Sequence, residues 1–228
     1  MRKVARVSYA ATDGVHIPAY LATPETGSPR PVVVVLRGVA GGDEGYTEIA
    51  SRLAAWGYVA LVHGWQCRGS NPTDAEIETD LDAALAFLRG LPAADTKAMC
   101  FAGFCKGGIY AFMGAAKYET VRAVVVFHGF AFRTLDETHR SQPIDLAGMI
   151  KAPVLLLHGT EDKSAPLDGM RELAAKLRRS SAHASLHEYT GAQHGFAVST
   201  HPNYGVQHAR EAFETTNDFL SAHLAKAS

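Results

Sequence analysis

Short apolar segments alternate with amphipathic segments along most of this 228-residue chain. Each apolar segment is nearly continuous, which is typical of strands that are covered on both faces of a sheet. The segments are Val32–Leu36, Val59–Val62, Ala98–Ala102, Val121–Phe127 and Val154–Leu157, with Ala184–Glu188 as a weaker candidate. Because helical patterns separate them, the chain is predicted to form an α/β fold with helices on both faces of a mostly parallel sheet.

The intervening segments carry apolar residues at helical spacing. They are Gly45–Trp56, Asp74–Leu91, Lys106–Lys117, Asp168–Ser180 and Val206–Leu224. In the second segment, Ile77, Leu81 and Leu85 recur on one side of the predicted helix. Either Thr73 or Asp74 can cap its start, and Gly90 with the proline that follows ends it.

The N-terminal segment favours an antiparallel hairpin. Val4–Ala10 and His16–Ala22 would pair as strands around a turn at residues 12–14. No internal repeat, low-complexity tract or long linker divides the remaining sequence. We therefore expect a single domain that spans residues 1–228.

The composition excludes several classes of protein. Apolar residues make up 47% and charged residues 20%, as in ordinary globular proteins. The net charge of −1 favours neither a nucleic acid nor a membrane surface as a partner. The sequence has no apolar run long enough to span a membrane, and because residues 1–14 lack an apolar region and a small-residue cleavage site, we expect no secretory signal. Its three cysteines cannot pair completely and lack zinc-ligand spacing, so we expect a cytoplasmic protein with free thiols and no metal.

A nucleophile motif follows the third central strand. Residues 103–108 read Gly-Phe-Cys-Lys-Gly-Gly, and a predicted helix follows. Gly-x-Cys-x-Gly between a strand and a helix is the pattern of a nucleophile elbow, with cysteine in place of serine. Free N–H groups at the start of the helix favour a thiolate on Cys105. The alternative interpretation is a buried structural cysteine beside two packing glycines.

An acid and a histidine follow later strands in the order that such an elbow requires. Asp162 comes shortly after Val154–Leu157, and His194 comes after Ala184–Glu188. Taken singly, Asp162 could be a turn residue and His194 a surface loop residue. Taken together with Cys105, they predict a triad in which the imidazole moves the thiol proton and the carboxylate orients the imidazole.

The predicted oxyanion hole uses two backbone N–H groups. One belongs to Lys106, which directly follows the nucleophile. The other belongs to Val39, in the glycine-rich loop after Val32–Leu36. The alternative interpretation of this loop is a turn whose glycines serve conformational freedom alone.

Together these motifs resemble the dienelactone hydrolase family of the α/β-hydrolase fold. The resemblance extends from Val32 to Leu224 and rests on residues 103–108, on Asp162 in a Gly-x-x-Asp turn and on His194 in Gly-x-x-His-x-Phe. It implies that Cys105, Asp162 and His194 are the catalytic residues and that no cofactor is needed. Known members open unsaturated lactones such as dienelactone, and relatives cleave other small esters. The resemblance therefore implies a carboxymethylenebutenolidase-like hydrolase that forms a thioester intermediate.

Two departures from the family pattern concern substrate recognition. Founding members carry a glutamate where this chain has Gly38, and they bind the substrate carboxylate with two arginines. Arg68 matches one of these arginines, but Val198 stands in the place of the other. We expect Arg68, with Trp65, His128 and Phe196, to contact the substrate, and Phe130 and Phe132 are further candidates for an apolar wall.

The sequence bears on four other interpretations. An acyltransferase or a thioesterase would use the same triad, and both remain alternatives to the hydrolase. A nicotinamide-binding domain is disfavoured because residues 38–42 do not match Gly-x-Gly-x-x-Gly. A non-catalytic binding protein of the same fold is disfavoured because its usual sign is a broken triad. The predicted partner is a small ester or lactone, and both a monomer and a homodimer remain open.

Overall fold

One sheet organises the computed structural model, which describes residues 3–25, 28–180 and 183–224. Within these residues, eight strands pair in the order β1-β2-β4-β3-β5-β6-β7-β8. Their bounds are β1 (Val4–Ala10), β2 (His16–Ala22), β3 (Arg30–Leu36), β4 (Val59–His63), β5 (Ala94–Phe104), β6 (Val121–Phe127), β7 (Val154–Gly159) and β8 (Ala184–Tyr189). The predicted N-terminal hairpin is confirmed, and the strands from β3 onwards run parallel.

Six α-helices connect these strands within the described residues. They are α1 (Asp43–Ala55), α2 (Asp74–Arg89), α3 (Gly107–Lys117), α4 (Pro143–Leu146), α5 (Leu167–Arg179) and α6 (Val206–Leu224). Two 3₁₀ turns lie at Trp65–Arg68 and Ala147–Met149. The five long helices match the predicted segments to within a few residues. The sequence analysis missed α4 and both 3₁₀ turns, because elements of three or four residues are too short to show a period.

Successive residues of β3 face opposite layers of the core. Val32 and Val34 pack in the cluster that includes residues of α2, α3 and α5, whereas Val33 and Val35 pack with α1 and α6. All four are fully buried. Because the side chains of a strand alternate between its two faces, a strand with a core on both sides is apolar at every position. The predicted fold class is confirmed.

The bounds of α2 follow from its caps. The Thr73 hydroxyl accepts a hydrogen bond from the Glu76 N–H, and the Glu76 carboxylate accepts one from the Thr73 N–H. This reciprocal arrangement satisfies two donors at the helix start. Gly90 takes the C-cap position, so the helix ends at Arg89, two residues before the predicted Leu91.

The longest strand, β5, begins four residues before the predicted Ala98. Its first residues, Ala94 and Asp95, pair with Arg30 and Pro31 of β3 before the register shifts. Such an irregularity lets the strand continue through a polar segment that does not look like a strand in the sequence. In the part of the chain that the structure describes, no helix is both long and apolar enough to cross a membrane.

Candidate active site

Cys105 lies in the turn between β5 and α3, at the carboxyl edge of the parallel strands. Its φ of 54° is in the left-handed region, as expected for a strained nucleophile elbow. The turn is tight: a Cβ on Gly107 would lie 2.0 Å from the Leu36 carbonyl oxygen, and one on Gly103 would lie 2.5 Å from the Gly107 carbonyl oxygen. Glycine at both positions is therefore a steric requirement of the elbow.

Asp162 follows β7 and is held from two sides. Its Oδ1 accepts hydrogen bonds from the backbone N–H groups of Ser164 (2.9 Å) and Ala165 (2.8 Å). Its Oδ2 lies 2.8 Å from His194 Nδ1. The carboxylate is buried, so these bonds fix its orientation towards the imidazole.

His194 comes from the loop between β8 and α6. Its backbone carbonyl accepts a hydrogen bond of 2.9 Å from Asn203 Nδ2, which anchors this part of the loop. Because Nδ1 contacts Asp162, the other ring nitrogen, Nε2, is available to the thiol. The His194 side chain hydrogen-bonds Cys105, so the structure brings the three residues together in the predicted order.

The contacts around Cys105 favour a thiolate. Burial raises the pKa of the Cys105 thiol, but the hydrogen bond and charge of His194 outweigh this effect and lower the pKa from its ordinary value. Burial also lowers the pKa of His194, whereas Asp162 and Cys105 raise it, with a net result of about 9. The two directions together favour a thiolate beside an imidazolium.

Hydrogen bonds from two backbone N–H groups help to lower the pKa of the Cys105 thiol. These N–H groups belong to Val39 and Lys106, the two residues predicted to form the oxyanion hole. The Lys106 side chain turns away, and its Nζ bonds the Ser70 carbonyl at 2.9 Å. The chemistry available at this position is therefore that of the backbone, with two donors on one side of the nucleophile.

The loop that carries Val39 is held by residues that the sequence analysis did not identify. The Tyr46 hydroxyl accepts from the Gly38 N–H at 2.8 Å. Gln66 Nε2 donates to the Gly38 carbonyl at 2.9 Å, and Trp65 Nε1 donates to the Arg37 carbonyl at 3.0 Å. No motif marks Tyr46 or Gln66, since both act through contacts between residues distant in sequence.

Gly38, which stands where the family pattern has a glutamate, lies directly against the nucleophile elbow. A Cβ at Gly38 would lie 2.9 Å from the Cys105 Cβ. The loop and the elbow therefore approach each other more closely than a side chain at position 38 allows in this arrangement. No carboxylate from this position faces Cys105.

Three of the four predicted substrate contacts lie beneath the surface. Trp65 and Phe196 are fully buried, and His128 is 2% exposed. Trp65 packs against Tyr110, and Phe196 packs against Tyr189 and His128. These side chains support the site from below, and none of them offers a face to a ligand in this structure.

Arg68 is occupied by two carboxylates. Its Nη2 lies 2.5 Å from Asp80 Oδ1, and its Nη1 lies 2.5 Å from Asp13 Oδ2. The Asp80 side chain has no exposed surface, and that of Arg68 is 6% exposed. The predicted contact between Arg68 and a substrate carboxylate is therefore replaced by a structural ion pair that joins the hairpin turn to α2.

Exposed apolar side chains lie in the loops that carry or neighbour the triad. Val39 is 56% exposed, and Phe132 is 46% exposed. Phe130 is half-buried, and its ring centroid lies 5.7 Å from that of His194. Of the aromatic wall expected from sequence, the structure leaves Phe130 and Phe132 accessible and buries Trp65 and Phe196.

A family model described as "Dienelactone hydrolase family" matches residues 17–224. A curated relative from Methylorubrum extorquens, named "Putative carboxymethylenebutenolidase", is 31% identical over 225 residues, which cover 91% of this chain and 77% of the relative. A protein of the same name from Escherichia coli is 29% identical, with coverage of 99% of this chain and 89% of the relative.

Solved structures share the fold. A Klebsiella pneumoniae protein named "Putative Dienelactone Hydrolase" superposes with a TM-score of 0.86 at 24% identity, covering 97% of this chain and 100% of that chain. A dienelactone hydrolase-like promiscuous phosphotriesterase from metagenomic libraries gives 0.80 at 22% identity, with coverage of 98% and 99%. The α/β-hydrolase fold expected from sequence is confirmed.

Proposed function

Because this chain belongs to the dienelactone hydrolase family, we propose that it hydrolyses a small lactone or carboxylic ester through a thioester on Cys105. One observation carries the proposal. The sulfur of Cys105 receives a hydrogen bond from His194 and two from backbone N–H groups, while Asp162 holds the far side of the imidazole. This arrangement supplies a nucleophile, a proton donor and an oxyanion hole within one site.

The first half of the reaction acylates the enzyme. The Cys105 thiolate attacks the carbonyl carbon, a C–S bond forms, and the electron pair of the C=O bond moves to oxygen. The N–H groups of Val39 and Lys106 hold this oxyanion. When the tetrahedral intermediate collapses, the C–O bond of the ester breaks, and the leaving alkoxide takes the Nε2 proton of His194.

The second half restores the enzyme. Neutral His194 accepts a proton from water, and the resulting hydroxide attacks the thioester carbonyl. Collapse of the second intermediate breaks the C–S bond and releases the carboxylic acid. Cys105 leaves as a thiolate beside the imidazolium of His194, so the resting state is recovered. Asp162 keeps Nδ1 protonated throughout and stabilises the imidazolium.

The substrate site is proposed to be apolar and open. Val39, Phe130 and Phe132 would contact the acyl or alcohol group, since they are accessible apolar side chains in loops around the proposed triad. Arg68 is not part of this proposal, because Asp13 and Asp80 occupy its guanidinium. We therefore expect neutral small esters and lactones to be accepted without the arginine clamp of the founding members.

The cysteines bear on the cellular compartment of the proposed enzyme. All three cysteines are free, and Cys67 is exposed. Free thiols of this kind persist in a reducing compartment, which favours the cytoplasm. We further propose that residues 1–228 form a single domain and that the protein acts as a monomer or a homodimer.

Trapping the acyl-enzyme tests the mechanism. Wild-type enzyme, Cys105→Ala and Cys67→Ala are mixed with a neutral aryl ester or an unsaturated lactone, quenched in acid and mapped by peptide mass spectrometry. We expect a thioester on the peptide that contains Cys105, and a loss of kcat of several decades in Cys105→Ala, roughly 10⁴-fold or more. Cys67→Ala removes an exposed cysteine and should turn over normally. Acylation at another residue, or activity retained in Cys105→Ala, would refute the mechanism.

A further inference from the structure

His158 is a buried histidine that the proposed mechanism does not use. It lies near the end of β7, four residues before Asp162, and its side chain has no exposed surface. From its contacts with the turn that carries Asp162, we propose that His158 is a positioning residue for the acid of the triad. This inference rests on the proposed function, since it assigns a role in orienting a catalytic group.

The hydrogen bond of His158 determines its tautomer. Its Nε2 lies 2.7 Å from the Ala165 carbonyl oxygen. A carbonyl oxygen only accepts, so Nε2 carries the proton and donates it. Burial lowers the pKa of His158, which keeps the ring neutral, and Nδ1 has no hydrogen-bond partner among the described residues. His158 is therefore a neutral donor with one fixed orientation.

Ala165 transmits this orientation to Asp162. Its carbonyl accepts from His158, and its N–H donates to Asp162 Oδ1 at 2.8 Å. The same peptide segment supplies the Ser164 N–H to Oδ1. His158 thus holds the turn whose N–H groups hold the carboxylate.

A second contact places His158 beside the oxygen that serves the imidazole. Its Nε2 is 3.5 Å from Asp162 Oδ2, the atom that lies 2.8 Å from His194 Nδ1. Both side chains, His158 and Asp162, have no exposed surface, so no solvent competes at this oxygen. The His158 ring therefore lies beside the same carboxylate oxygen that His194 contacts.

Position 158 requires an uncharged hydrogen-bond donor that is long enough to reach the Ala165 carbonyl. A positively charged side chain would compete with the His194 imidazolium for Asp162, while an apolar side chain would leave the Ala165 carbonyl unpaired in a buried setting. Four charged or titratable groups interact with His158, namely Asp162, His194, Glu188 and His128. Among these, Asp162 and His194 are the two residues whose geometry it would control.

Three substitutions of His158 distinguish the loss of its hydrogen-bond donor from the loss of its ring volume. His158→Gln carries an amide nitrogen at about the reach of Nε2, His158→Asn carries one that falls short of Ala165, and His158→Leu carries none. His63→Leu is the matched control, because His63 is equally buried at the end of β4 and hydrogen-bonds Tyr9 of β1. All variants are made in a Cys67→Ala background, which leaves Cys105 as the one accessible cysteine.

Two readouts report on the site itself. The rate of iodoacetamide alkylation against pH, mapped to Cys105 by mass spectrometry, gives the apparent pKa of its thiol. The turnover of a neutral ester gives kcat and KM. In His158→Leu and His158→Asn we expect a higher thiol pKa and a kcat lowered by roughly 10- to 100-fold with little change in KM, because a carboxylate displaced by a fraction of an ångström orients His194 poorly. His158→Gln should recover most of both.

The control distinguishes positioning from stability. His63→Leu should lower the melting temperature without moving the thiol pKa or kcat. If His158→Leu does not fold, the comparison of His158→Gln with His158→Asn still decides the question. Equal behaviour of those two variants, or a thiol pKa and kcat unchanged from wild type, would overturn the inference. Activity retained in Cys105→Ala would instead refute the proposed function, and the Cys105 titration would still test His158.

Discussion

The proton shared by Cys105 and His194 sets the pH range of the proposed reaction. The pKa of His194 is raised to about 9, so its imidazolium persists below that pH and is lost above it. An alkoxide leaving group needs the Nε2 proton, which makes the protonated ring the competent form. The activity should therefore have an alkaline limit set by His194.

We predict that kcat/KM for an alkyl ester falls as pH rises through about 9. Asp162 is one of the groups that raise the pKa of His194, so Asp162→Asn should move this fall to lower pH and reduce kcat/KM throughout. The measurement is a pH–rate profile of both enzymes. Asp168→Asn, at an exposed position, serves as the control. An alkaline limit at the same pH in Asp162→Asn would contradict the assignment of this limit to His194.

A second prediction at the residue scale concerns Arg68. Arg68→Met leaves Asp80 buried without its cation and should lower the free energy of unfolding by about 2–4 kcal/mol. Asp13→Asn removes the exposed partner and should lower the free energy of unfolding much less, because solvent screens that pair. Urea denaturation measures both. The KM values of carboxylate-bearing and neutral substrates should respond equally in Arg68→Met, and a selective rise for the carboxylate would restore the substrate-binding role.

At the scale of elements, the segment after β6 is fastened to the start of α2. Asp74 Oδ2 accepts from the backbone N–H groups of Arg140 (2.8 Å) and Ser141 (2.9 Å), and Oδ1 pairs with Arg133. The Asp74 N–H donates to the Thr138 carbonyl. This segment contains Phe130 and Phe132, so its hydrogen bonds to Asp74 fix the position of the proposed apolar wall.

We predict that Asp74→Ala loosens this segment. Trypsin should then cleave at Arg133 or Arg140 faster than in wild type, because local opening exposes the backbone. The KM of a neutral ester should rise roughly 3- to 10-fold with kcat nearly unchanged, since the wall binds substrate and takes no part in the chemistry. Thr73→Ala weakens the cap of the same helix and leaves the Asp74 contacts in place, so it should not change the cleavage pattern. Equal trypsin sensitivity in the two variants would contradict this role for Asp74.

The sequence predicts the helices and strands best where contacts between neighbouring residues define their ends. The caps of α2 are local, which is why the sequence placed its start at Thr73 or Asp74 and its end within two residues of Arg89. The 3₁₀ turn at Trp65–Arg68 was missed, although two of its residues donate hydrogen bonds to the loop that carries Val39. A turn of four residues has no periodicity, and its importance comes from the loop it meets.

At the scale of the molecule, the proposed triad depends on the whole sheet. Cys105, Asp162 and His194 follow β5, β7 and β8, and β6 lies between β5 and β7. We predict that thiolate absorbance near 240 nm and far-UV circular dichroism are lost at the same urea concentration, as in a two-state transition of one domain. Cys105→Ala identifies the thiolate signal. Separate midpoints would show that the chain contains more than one cooperative unit.

The sequence by itself determined the alternation of strands and helices, the hairpin and the order of Cys105, Asp162 and His194. These features depend on local periodicity and on which residues follow each strand, and both can be read along the chain. Parallel strands then bring their carboxyl ends to one edge, so the order of the motifs already predicts that they meet.

Only the tertiary structure decided which side chains the site can use. Arg68 looked like a substrate ligand until Asp13, 55 positions away, and Asp80 were seen to occupy it. No motif marks His158, and its bond to the Ala165 carbonyl is visible only in the folded turn. The pairing of charges and the burial of rings depend on contacts between elements that are distant in sequence, and no local pattern encodes those distances.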